Sequence, residues 1–143
     1  MTLQIYFAGS IRGGRDLQPT YAFIIKQLQD LGHTVLSEHV GDASLFGKGE
    51  SLLDEYIYRR DMSWIFQSDC VVADVTVPSL GVGYEIASAF LNPKPLLCIA
   101  RFDANVSAMV TGNKRIPLKR YDNNIQAVEL VEAWLKETYP NLA

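Results

Sequence analysis

Cysteine and histidine are scarce in this chain of 143 residues, which has two of each: Cys70, Cys98, His33 and His39. No Cys-x-x-Cys spacing occurs and neither histidine has a ligand-spaced partner, so a structural metal or a dithiol redox centre is not expected. Each cysteine lies inside an apolar stretch, the setting of a free buried thiol in a reducing cytoplasm. Concentrated positive charge is also missing. The 13 Lys and Arg residues face 16 Asp and Glu, a net charge of −3, and no basic run breaks that balance. This argues against a nucleic-acid polymer as partner, so any anionic ligand must be held locally. Long hydrophobic runs are absent as well: nothing approaches the ~20 residues of a membrane span. The start, Met1 to Phe7, has no basic region and no long apolar core, so it does not read as a secretory signal. Repeats and low-complexity tracts are lacking too.

What is present suffices for one domain spanning residues 1–143. At 48% hydrophobic and 20% charged, the composition is that of an ordinary globular chain. A fold of about 150 residues buries roughly 68–70% of its unfolded surface and needs no covalent staple. Short apolar runs rich in β-branched and aromatic residues alternate with segments of helical period, which predicts an α/β fold with a parallel sheet. The predicted strands are Leu3–Ala8, His33–Ser37, Asp69–Ala73 and Leu96–Ala100, with a weaker fifth around Ile116–Tyr121. A first helix is expected over Pro19–Leu31, with Tyr21, Ile24, Ile25 and Leu28 at core spacing and Gly32 as C-cap. A second fits Leu52–Gln67, with Leu52, Leu53, Tyr56, Ile57, Arg60 and Trp64 on a mixed face. A third begins near Gly83 and stops before Asn92, and a last one, Asn124–Glu137, carries Ile125, Val128, Val131, Trp134 and Leu135 on one stripe. Residues Gly41–Glu50 form the one segment expected to be a mobile loop.

In an open α/β sheet, ligands bind beyond the carboxyl ends of the strands. That rule brings the turn Gly9-Ser-Ile-Arg-Gly-Gly-Arg15, the pair Glu38-His39, the stretch Asp74–Gly83 and the stretch Arg101–Met109 to one rim. The glycine turn lies between a strand and a helix, where backbone N–H groups can cradle a phosphate and Ser10 and Arg12 can add a hydroxyl and a guanidinium. It equally fits a plain turn with solvated arginines. Glu85, just after Gly83, is expected in the first turn of its helix and therefore ionised, either as a nucleophile toward an electrophilic carbon or simply as a partner of the helix dipole. Asp61 and Asp74 are candidate second carboxylates; a turn or capping role is the simpler reading of Asp74. Tyr6, on a strand, is by default a core tyrosine. His39 either contacts a base or merely ends a strand.

Taken together, Tyr6-Phe-Ala-Gly-Ser-Ile-Arg-Gly-Gly-Arg15, Ser37-Glu-His-Val40, Asp61 with Trp64, the stretch ending Pro78-Ser-Leu-Gly-Val-Gly-Tyr-Glu85, and Ser107-Ala-Met109 occur in one order and at compatible spacing. They resemble the 2′-deoxynucleoside 5′-phosphate N-hydrolases of the nucleoside 2-deoxyribosyltransferase family, over residues 5 to about 110. The resemblance implies a flavodoxin-like (Rossmann-like) open parallel five-stranded sheet with helices on both faces. It implies a homodimeric N-glycosidase that needs no cofactor and releases free base and 2-deoxyribose 5-phosphate from a deoxynucleoside monophosphate. Glu85 matches the family's nucleophile, Asp61 an acid/base carboxylate and Tyr6 a tyrosine beside the sugar. Ser10, Arg12 and Ser79 match phosphate-binding positions, Gly9, Ile11, Gly13, Gly14, Arg15 and Gly81 join them as substrate-binding residues, and Tyr21 and His39 match positions lining the pocket. Ser107, Ala108 and Met109 match a segment supplied to the neighbouring subunit's site. Base exchange between nucleosides, a preference for ribonucleotides, and nucleotide binding without catalysis are the alternatives on the same scaffold.

Overall fold

A computed structural model describes residues 1–12, 14–45 and 50–142. Gly13 and the middle of the expected Gly41–Glu50 loop lie outside the described residues. The elements run β1 (Gln4–Ala8), α1 (Gln18–Asp30), β2 (Thr34–Val35), a 3-10 turn (Glu38–Gly41), α2 (Asp54–Gln67), β3 (Cys70–Asp74), α3 (Leu80–Leu91), β4 (Leu96–Arg101), α4 (Ala108–Thr111), β5 (Leu118–Tyr121) and α5 (Asn124–Thr138). All strand pairings are parallel, in the order β2-β1-β3-β4-β5, the flavodoxin-like arrangement.

Side chains alternate across this sheet, and both faces are apolar because helices cover both. Ile5, Phe7, Val72, Leu97 and Ile99 pack with α1 and α5, whereas Tyr6, Ala8, Val71, Ala73 and Cys98 pack beneath α2 and α3. The strand period thus delivers Tyr6 to the face where Asp61 and Glu85 stand. Both cysteines are buried and free, and burial pushes each thiol up to about 12.

Several expectations shift. The second strand is only Thr34–Val35, because beyond it the Ser37 side chain takes over the pairing, accepting from Phe7 N (2.8 Å) and donating to Phe7 O (2.6 Å). The third helix starts at Leu80: Ser79 caps it, accepting from Val82 N, so Gly81 and Gly83 lie within the helix rather than in a loop before it. On α2 the expected mixed face splits. Leu53 and Tyr56 point to solvent, Ile57, Arg60 and Trp64 are half-buried, and Ile65 is the buried contact. Ile125 on α5 is exposed, outside the stripe that Val128, Val131, Trp134 and Leu135 bury. Among the described residues no helix is long and apolar enough to cross a membrane.

Candidate active site

β1 has neighbours on both sides, β2 toward one edge and β3 toward the other, so the chain reverses direction across the sheet there and leaves a crevice at the carboxyl ends. A cleft of about 740 Å³ opens at that point, lined by Gly9 and Arg12 from the first turn, Glu50, Asp61 of α2, and Ser79 and Glu85 of α3. Ile11 and Gly81 line it as well.

Glu85 stands in the second turn of α3, beyond the reach of the dipole's first turn. The Tyr6 hydroxyl donates to Oε2 of Glu85. Burial dominates here and pushes the Glu85 carboxyl up to about 8, with the Asp61 carboxylate adding to the rise and the Tyr6 hydrogen bond and Arg60 opposing it. The expectation of a glutamate held ionised by the first turn of its helix therefore gives way to one whose burial favours the protonated form over that of an exposed carboxyl. Tyr6 itself is buried and its phenol strongly raised, chiefly by burial and then by Glu85. It is both the core residue expected from its strand and a neighbour of the carboxylate.

Asp61 is also raised by burial, against the pull of Arg60. The Arg60 Nε donates to Asp61 Oδ1 at 2.9 Å, its Nη2 reaches Glu50 Oε2 at 2.8 Å, and its guanidinium lies 4.7 Å from the centre of the Trp64 ring. His39 completes this group. Its Nε2 is 3.3 Å from Glu50 Oε1, and burial lowers its pKa. Asp74 does not belong to the cleft. It is buried at the end of β3, accepting from Tyr121 Oη (2.6 Å) and Thr76 N (2.9 Å), the turn role that was its simpler reading.

At the opposite end of the cleft the first turn is tightly fitted. A Cβ on Gly9 would come within 2.9 Å of Tyr21 and Val40, and Gly14 has a φ of +137°, so glycine is required at both. Arg12 reaches Asp54 Oδ1 at 2.9 Å, with both side chains exposed. Ser10 Oγ is buried and has no hydrogen-bond partner among the described residues. Arg15 turns away from the cleft and donates to the carbonyls of Ser10 (3.0 Å) and Asp42 (2.8 Å), fastening the turn to the 3-10 segment. Ser79 and the first residues of α3 line the same cleft, and N–H groups of a helix start are unpaired within the helix.

The remaining expected residues stand apart from the cleft wall. Tyr21 is fully buried beneath the turn, its hydroxyl accepting from Ser10 N (3.2 Å), so its link to the cleft runs through Ser10. His39 reaches it through Glu50 and Arg60. Ser107, Ala108 and Met109 cap and begin α4, Met109 being 84% exposed, and are not among the residues lining this cleft. Glu50, Asp54 and the role of Arg60 were missed from sequence; an arginine sharing a helix face with Ile57 and Trp64 was the available signal. Among the described residues no group of three His, Cys, Asp or Glu side chains is placed to hold a metal.

Residues 5–125 match the family model for nucleoside 2-deoxyribosyltransferase. A Methanococcoides burtonii protein provisionally named 2′-deoxynucleoside 5′-phosphate N-hydrolase 1 is 48% identical over 111 residues, 78% of this chain and 91% of that one. The 5-hydroxymethyl-dUMP N-hydrolase of Danio rerio is 49% identical over 119 residues, 81% and 82% of the two chains. A solved structure of a Clostridium botulinum CMP N-glycosidase superposes with a TM-score of 0.70 at 16% identity, covering 92% of this chain and 99% of that one, and so shares the fold. By the extent of the family match and the identity to these relatives, the chain belongs to the nucleoside 2-deoxyribosyltransferase family.

Proposed function

We propose that the protein hydrolyses the N-glycosidic bond of 2′-deoxynucleoside 5′-monophosphates. The observation that carries this reading is the pairing of two carboxylates, Glu85 and Asp61, on one cleft whose other end offers Arg12, Ser79 and the start of α3 to an anion. The names of its relatives agree. The Glu85 carboxylate attacks C1′, the C1′–N bond breaks, and the base leaves with a proton from Asp61. Water then attacks the glycosyl ester at C1′ and gives its proton to Asp61, which frees 2-deoxyribose 5-phosphate and the Glu85 carboxylate. Tyr6 holds Glu85 Oε2 through its hydroxyl. At the phosphate end, Arg12 exchanges Asp54 for the phosphate and the Ser10 hydroxyl gains the partner it lacks. No cofactor takes part.

Two copies form the working unit on this reading, with Ser107, Ala108 and Met109 of one reaching the cleft of the other. Support comes from the exposure of that segment and from the apolar outer face of α2 and α3, where Leu53, Tyr56, Leu80 and Tyr84 are exposed. The two free buried thiols suit the cytoplasm.

Incubation with a panel of deoxy- and ribonucleoside 5′-monophosphates and their parent nucleosides, with free base measured by chromatography, tests the proposal. Release from the deoxy monophosphates that Glu85→Gln abolishes is expected. Base exchange among unphosphorylated nucleosides at a comparable rate would point instead to a transferase.

A further inference from the structure

Arg60 has no role in the reaction as written, yet it is one of the most closely engaged charged side chains near the cleft. It is 14% exposed and lies among two carboxylates, an imidazole and an indole. Its Nε and Nη2 both reach the same Asp61 oxygen, Oδ1, each at 2.9 Å. Meanwhile Nη2 also contacts Glu50 Oε2 at 2.8 Å and stands 3.3 Å from His39 Nε2, and the guanidinium plane is backed by Trp64. Glu50 and Asp61 both line the cleft.

This geometry treats the two Asp61 oxygens differently. Oδ1 accepts a charge-assisted hydrogen bond from Nε and has Nη2 in ion-pair contact, both of which disfavour a proton there, whereas Oδ2 has no such hydrogen bond among the described residues. An ammonium could supply charge at this point but not the fixed planar fork that points Nε at Asp61 Oδ1 and Nη2 at Glu50 Oε2. The aromatic backing keeps the guanidinium in place, since cation and ring attract and the indole excludes water from one side.

We propose that Arg60 is a positioning residue for glycosidic cleavage: by clamping Oδ1 of Asp61 to Glu50, it directs the acid proton to Oδ2 and fixes that oxygen for transfer to the departing base. The proposal rests on the reading of Asp61 as the general acid. It makes Arg60 matter where the leaving group needs a proton and little where it does not.

The test compares initial rates of wild type, Arg60→Gln, Arg60→Lys, Asp61→Asn and the double variant Arg60→Gln/Asp61→Asn. Two substrates are used: a deoxynucleoside 5′-monophosphate, and 4-nitrophenyl 2-deoxyriboside 5-phosphate, whose leaving group departs as an anion. With the nucleotide, Arg60→Gln is expected to lower kcat by about 10- to 100-fold with KM little changed, a fraction of what general acid catalysis supplies. Arg60→Lys should recover part of that loss. With the nitrophenyl substrate the losses should shrink to within about threefold. In the Asp61→Asn background, Arg60→Gln should cost almost nothing more, because the two act as one unit. Equal losses on both substrates, a loss confined to KM, or independent multiplication of the two single effects would overturn the role. Arg60→Lys keeps the charge and serves as the folding-competent variant if Arg60→Gln fails to fold. Should wild type release no base, or Asp61→Asn retain full activity on the nucleotide, the functional reading itself falls. A fully active Arg60→Gln beside an impaired Asp61→Asn would remove Arg60 alone.

Discussion

Glu85 shows how burial can override position along a helix. A glutamate near a helix start is ordinarily held ionised, but here it lies a turn further in, and enclosure beside Asp61 outweighs the hydrogen bond from Tyr6. Because its carboxyl rises to about 8 from an ordinary 4.5, the folded protein keeps a proton that the unfolded chain releases between those values. The associated stabilisation is fully present below the unfolded value and is lost as pH rises through the folded one. Thermal unfolding should therefore show wild type losing stability relative to Glu85→Gln between about pH 5 and 9; parallel curves would contradict the buried, protonated state. Since attack needs the Glu85 carboxylate while departure of the base needs a proton on Asp61, the pair must hold one proton between them, and kcat/KM should fall as pH rises through about 8, a limb that stopped-assay rates across pH can locate. At the other end of the cleft, Arg12→Ala should weaken a deoxynucleoside monophosphate roughly 10- to 100-fold while leaving the parent nucleoside nearly unaffected, as befits loss of a charged hydrogen bond. Equal weakening of both in calorimetric titrations would make Arg12 structural.

Among the elements, strands and long helices were the most legible features of the sequence. Alternation of Ile5 and Phe7 against Tyr6 and Ala8, and the spacing of Tyr21, Ile24, Ile25 and Leu28, carry enough periodic signal to place an element within a few residues. The start of α3 was misjudged because two glycines look like a loop, whereas Ser79 supplies the cap and nothing lies within 4 Å of a Cβ at Gly83 to penalise or demand either residue. The four-residue α4 and the 3-10 turn are too short to have a period at all. Within the site, the glycine turn, Asp61 and Glu85 could be found because motifs carry them. The Arg60–Glu50–His39 cluster could not, because it exists only once a loop folds back onto α2. The carboxyl ends of β3, β4 and β5 are tied by Tyr121 to Asp74 and by Arg101 N to Thr76 Oγ1. Tyr121→Phe strips a buried carboxyl of one donor and should cost about 1–3 kcal/mol in urea unfolding; a variant as stable as wild type would mean that Asp74 is satisfied without it.

For the molecule as a whole, the net charge of −3 is a poor guide to the cleft, where Arg12 is paired with Asp54 and Arg60 with Glu50 and Asp61. Arg12 and the start of α3 line the cleft together with Glu85 and Asp61, and Arg60 is hydrogen-bonded to Asp61. The same chain leaves Met109 and Leu80 almost wholly exposed, at 84% and 95%. If a second copy covers such surface and lends Ser107–Met109, a Glu85→Gln protomer paired with a Ser107 variant should regain activity in mixed dimers, since one of the two clefts is then intact. Purified hybrids with no more activity than either parent would exclude a shared site.

The most direct test of glycosidic cleavage through Glu85 is intact-protein and peptide mass spectrometry of enzyme acid-quenched during turnover of a deoxynucleoside 5′-monophosphate. A 2-deoxyribose 5-phosphate adduct on the peptide bearing Glu85, absent from Glu85→Gln, is the predicted result. Base release by Glu85→Gln at the wild-type rate, or an adduct on another residue, would contradict it.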